Sequence, residues 1–210
     1  MRTNRAIWVI AGILSATVIA GILSAIVVSS THSTRVAEPS TTTSTSSFAS
    51  QVELQWSDLP HGWLPDYAAG TPDTFGAELA GHLYLMTSLV TVAASSRAAQ
   101  TDYNSALSTV RNSAEARVLK IEPGMKLSNV TVAGIAFPIL GDRDFAYRAT
   151  YFEYQGTTKL HSTTTDVEVL LGRTLIVLTS TDATAGTVLP TTLQTSVLTK
   201  MLARARALHL

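Results

Sequence analysis

The side chains able to do chemistry are few and scattered. Five histidines, His32, His61, His82, His161 and His209, lie along the 210 residues, and no two stand at metal-ligand spacing. A zinc site would therefore need ligands assembled by folding alone. Asp142-Arg143-Asp144 places two carboxylates two residues apart after Gly141. Calcium takes about six or more oxygens, so the pair reads as a solvated turn. Asp166 and Glu168 share one face of an extended segment, and a solvated strand edge accounts for both. His161, on the same segment, could form half of an acid–base pair with Asp166. A lone histidine on a polar strand face is ordinary, and it is assigned no catalytic role. Phosphate loops, dinucleotide fingerprints and the G-x-S-x-G nucleophile elbow do not occur. The chain leans away from being an enzyme, with no catalytic residue, cofactor or metal ligand assigned and its ligand-binding residues unknown.

One aromatic constellation stands out: Trp56-Ser57-Asp58-Leu59-Pro60-His61-Gly62-Trp63. Pro60 and Gly62 punctuate a turn, and the two tryptophans flank it. Such a pair can hold a sugar or a lipid. More commonly it caps the edge of a core, which is the reading adopted.

The elements that would carry these residues are preceded by a different kind of sequence. Ala6 to Ser30 has no charged side chain and is almost all apolar, and about 20 such residues cross a bilayer as a helix. Arg2 and Arg5 before the run place the amino terminus inside and the rest across the membrane. The alternative is a cleaved signal peptide, which would leave the protein secreted. Gly12, Ala16, Ala20 and Ser24, each four apart, line one face and would permit helix–helix self-association, although small residues are frequent in such spans. The stretch from 31 to 50 is rich in Ser and Thr and reads as a flexible stalk. The expected organisation is a tip and transmembrane anchor over 1–30, a stalk over 31–50 and an extracytoplasmic domain over 51–210.

That domain has no cysteine, so it has neither disulfide nor thiolate metal site. From Gln51 onward it carries 12 Lys and Arg against 14 Asp and Glu, a net charge of −2. The balance gives no electrostatic case for nucleic acid. Asn129-Val130-Thr131 matches the glycosylation acceptor pattern.

Within the domain, β-branched residues predict a strand over Leu83–Ala93. Ser95 or Ser96 caps a helix to about Ser113, with Ala99, Tyr103, Ala106 and Val110 on its apolar stripe. Phe145, Tyr147, Ala149 and Tyr151 alternate with polar neighbours. Gln155-Gly156 makes a turn, Thr158–Leu171 is extended, and Gly172-Arg173 suits a type II′ hairpin into the apolar run Leu175–Leu178. A helix follows Pro190, its core face formed by Leu193, Val197, Met201 and Ala205. The fold class is α+β: an N-terminal transmembrane helix, then one antiparallel sheet with helices packed on one face.

Leu59-Pro60-His61-Gly62-Trp63, Leu140-Gly141-Asp142, the aromatic strand after it and the Val167–Leu178 hairpin resemble the exported domains of actinobacterial membrane proteins and lipoproteins, including sensor-type extracellular domains. Members of that group often carry disulfides, and this chain has no cysteine. The resemblance implies an extracytoplasmic binding or sensing fold and transfers no ligand or site. The leading expectation is thus a membrane-anchored binding domain for a small apolar ligand, an envelope component or a protein partner. The rivals are a cell-envelope hydrolase with a site assembled only in three dimensions, and an accessory scaffold subunit of a membrane complex. A pocket lined by apolar residues with one or two polar groups favours the first; clustered His, Asp and Ser favour the second; a flat apolar patch favours the third.

Overall fold

A computed structural model describes residues 48–65, 74–118, 126–155, 158–182 and 187–209. The apolar run, its small-residue face, most of the stalk and the Gly156 turn lie outside the described residues. Among the described residues no helix is long and apolar enough to cross a membrane. The described residues begin ahead of Gln51: a helical turn spans 48–52, and Ala49 packs against the core.

Seven antiparallel strands form one sheet in the order β1-β2-β3-β7-β6-β5-β4. They are β1 Leu64–Pro65, β2 Thr74–Leu79, β3 His82–Val92, β4 Lys126–Ile135, β5 Arg143–Gln155, β6 Thr158–Leu171 and β7 Thr174–Asp182. Helix α1 (Ser96–Val118) joins β3 to β4, and α2 (Thr191–Ala207) closes the chain. The β5-β6-β7 meander matches the period-two reading. At its second turn Gly172 sits at φ +58° while Arg173 keeps a negative φ, the signature of the expected type II′ geometry. Ser95 caps α1 by accepting the Ala98 N–H at 3.2 Å. The helix then runs 23 residues, beyond the expected end near Ser113.

The two helices lie on opposite faces, which corrects the one-face arrangement. Successive residues of a strand point to opposite sides. Val169 and Ile176 join the cluster of Val197, Leu198, Met201 and Leu202 from α2. Their neighbours Leu170 and Leu175 join Ala99 and Tyr103 from α1. The all-buried β7 requires cover on both sides, since an uncovered apolar face cannot offset its ordering entropy.

β1, β2 and β4 were not legible. β2 and β3 are joined by Ala80 and Gly81, both at positive φ, an arrangement typical of a type I′ hairpin; alanine is an unusual residue there. β4 is interrupted between Ser128 and Thr131 by a register shift that holds Asn129 at φ +53°. Gly141 is needed for a close approach: a Cβ there would clash with the Leu170 carbonyl oxygen.

Candidate functional site

The Trp56–Trp63 segment divides its two tryptophans. Trp63 is 1% exposed and belongs to the α2-side core, whereas Trp56 is 59% exposed. The core-cap reading thus holds for one indole and not the other. Trp56 is nonetheless held in place, because its Nε1–H donates to the Trp63 carbonyl at 2.7 Å. With that donor occupied, what Trp56 offers outward is the flat π surface of its ring.

The turn is rigid for reasons legible in its sequence and in α2. Trp56–Asp58 forms a 3-10 turn, and the Asp58 carboxylate accepts the Gln55 N–H at 3.0 Å. Gly62 takes φ +103°, which only glycine adopts readily. Arg204 of α2 reaches both Asp58 oxygens, at 2.7 and 2.6 Å, and also binds the carbonyls of Val52 and Glu53. Such a two-pronged, charge-assisted pair fixes orientation as well as distance. Lys200 adds a contact to the Asp58 carbonyl at 2.7 Å.

An open groove of about 450 Å³ follows, lined by Trp56, Leu59, Pro60, Trp63 and Leu64, with Ser57 and His61 as its polar side chains. Leu64, on edge strand β1, is 57% exposed. The lining is apolar with two polar groups, and the groove is open to solvent along its length.

The other sequence candidates come apart. His161 and Asp166 do not meet: His161 stacks on Phe152 with ring centroids 4.6 Å apart, while Asp166 projects from the opposite face. Asp142 accepts the Gly172 N–H at 2.7 Å and Asp144 the Leu140 N–H at 3.0 Å, so the pair braces loops. No group of three or more His, Asp or Glu able to hold a metal occurs among the described residues. His82 has Nδ1 3.4 Å from both the Asp182 carboxylate and the Thr187 hydroxyl. One ring nitrogen serves both contacts, so the trio lacks the nucleophile–base–acid relay of an acyl-transfer site.

Asp166 and Glu168 are the main correction. They are 1% and 2% exposed, on strand β6 in the interior of the sheet beneath the α1 side. One register row runs Thr74, Thr87, Thr179, Asp166, Tyr147. Thr179 donates to Asp166 Oδ1, Tyr147 bonds the same carboxyl group, and Oδ2 has no hydrogen-bond partner among the described residues. Burial pushes the Asp166 pKa up, against the opposing effect of the Thr179 and Tyr147 hydrogen bonds. Polar identity in sequence suggested solvent; strand order overrode it.

No protein-family model matches the chain, and no curated protein matches it.

Proposed function

We propose that this is a membrane-anchored extracytoplasmic binding domain that takes a small apolar ligand in the Trp56–Leu64 groove. The carrying observation is Trp56: a large indole, 59% exposed, is fixed by its own hydrogen bond beside a groove braced by Arg204. A preorganised aromatic face loses little freedom on binding. The uncharged run Ala6–Ser30 behind Arg2 and Arg5 supports the anchor, and the resemblance to exported actinobacterial domains supports the location.

The groove is tested with the full chain in nanodiscs, labelled with 5-fluorotryptophan and titrated with n-hexanol. Hexanol should shift the Trp56 and Trp63 fluorine resonances saturably and leave Trp8 unmoved. A shift confined to Trp8 would be partition into the bilayer, and an unsaturable response would overturn the groove as a site. For location, a reporter active only after export is fused behind Leu210. It should be active, and the protein should pellet with membranes. An inactive reporter refutes the orientation; an active reporter on a soluble, shortened protein replaces the anchor by a cleaved signal.

A further inference from the structure

Helix α2 covers only part of its face of the sheet. On β5 this face carries Ala146, Arg148, Thr150, Phe152 and Tyr154, and on β6 their partners Val167, Thr165, Thr163, His161 and Lys159. Ala146 and Val167 lie in the α2-side core. Beyond them Thr165 and Thr163 of β6 stay buried, Arg148, Thr150, Phe152 and His161 are half-buried, and the face opens at Tyr154 and Lys159, which are exposed. β4 adds Thr131 beside Thr150 and Ser128 beside Phe152, and Lys126 stands at the register position of Tyr154.

This open end is aromatic and cationic. Lys159 Nζ stands 4.0 Å from the Phe152 ring centre and 5.9 Å from that of Tyr154, while His161 stacks on Phe152. The Ser128 hydroxyl donates to the Tyr154 oxygen at 3.4 Å and, together with Lys159, lowers the Tyr154 pKa. Arg148 Nε is buried and has no hydrogen-bond partner among the described residues. No acidic residue occupies this face of β4, β5 or β6 from the Arg148 row outward. The nearest carboxylate in the neighbouring strand, Asp182, is buried and holds Thr187. The domain is acidic overall, so cations gathered without counter-charges set this surface apart.

We infer that the exposed β4–β5–β6 platform binds an anionic polysaccharide, with a sugar face on Tyr154, carboxylates at Lys159, His161 and Arg148, and the Phe152 ring holding Lys159 and His161 in place. Three features favour that occupant. The rows from Arg148 to Tyr154 span about 20 Å at about 3.3 Å per residue, long enough for several sugar rings in line. β5 and β6 are each paired on both sides, and the edge left for an added peptide strand is the outer edge of β4, away from the rows of Phe152 and His161, so recognition on this face falls to side chains. The platform is an open surface rimmed by hydroxyls, which suits a polar chain better than an acyl tail. That such a polymer is what the domain meets rests on the proposed extracytoplasmic location; the binding itself does not.

Calorimetric titration of the full chain in zwitterionic nanodiscs with tetragalacturonate tests this. Binding should weaken by about tenfold or more in Phe152→Ala and in Lys159→Glu, and with the methyl-esterified tetramer, because charge-assisted contacts are lost. Both altered side chains are at least partly solvent-accessible, and unchanged melting shows that the fold is kept. Trp56→Ala should bind the tetramer normally, so failure of the groove and failure of the platform are separable. No binding, equal binding of the ester, or indifference to both platform variants would overturn the inference. Tighter binding of tetraglutamate or of a thymidine tetranucleotide would also overturn it, reassigning the surface to acidic peptide or nucleic acid.

Discussion

The two faces of the sheet are made by alternate residues of the same strands, yet they are built differently. Toward α2, Met86, Leu178, Val167 and Ile176 interlock with Val197, Leu198 and Met201 in an apolar core. Toward α1, the row through Thr87, Thr179, Asp166 and Tyr147 is polar and equally buried, with a small apolar cluster of Ala99, Tyr103, Leu170 and Leu175 at one end. The difference teaches that burial and stabilisation separate here. The α2 side gains from transfer of apolar area. The α1 side must first satisfy each buried hydroxyl and carboxyl, as Tyr151–Thr164 and Thr164–Thr181 do at 3.1 and 3.0 Å, before it gains anything.

Substitutions sharpen this contrast. Val169→Asp, in the α2-side core, should unfold the domain, since an unpaired buried carboxylate costs several kcal/mol against a total of about 5–15. Val177→Asp, in the row of Glu168, should do the same and adds a like charge. Circular dichroism of the purified chain reads both; native melting for both would show that neither face is core. Asp58→Ala should lower stability by about 2 kcal/mol in urea titration, because Arg204 loses its counter-charge and keeps only the Val52 and Glu53 carbonyls.

The pH response separates the faces most directly. The Asp166 pKa is raised, so between its ordinary value of 3.8 and the higher folded value the unfolded chain holds fewer protons than the folded one. Its contribution is complete below 3.8 and is lost as pH rises toward the folded value. Asp166→Asn should remove that falling limb and leave the protein more stable at neutral pH. An unchanged limb would mean that another group titrates. Ser95→Ala should cost about 1 kcal/mol through the lost α1 cap. Trp56→Ala should change stability least, within about 0.5 kcal/mol, while removing hexanol binding.

Much of this was legible in the sequence where one physical cue dominated. The alternating β5 pattern, Gly172-Arg173 and the stripe after Pro190 each located an element, because period and turn chemistry act locally. What sequence could not supply was strand order. Asp166 and Glu168 look like edge residues until β6 is known to lie between β5 and β7. The same ignorance put both helices on one face. β4 escaped notice because the irregularity around Asn129 breaks its alternation. At the groove, the tryptophans were visible, but the turn that carries them is braced by Arg204, 146 residues from its partner Asp58.

Strand order also bears on how the molecule assembles. Every pairing joins consecutive strands except one, β3 with β7, where Val92 meets Thr174 across about 80 intervening residues. Closing so long a loop is the entropically expensive step, and ordered local hairpins reduce what remains to be found. The β4–β7 meander should therefore form early and the β1–β3 ribbon dock late. Conservative truncations at Val167 should slow refolding, whereas Val90→Ala should chiefly hasten unfolding. Stopped-flow refolding that showed the reverse would place the nucleus at the β3–β7 seam.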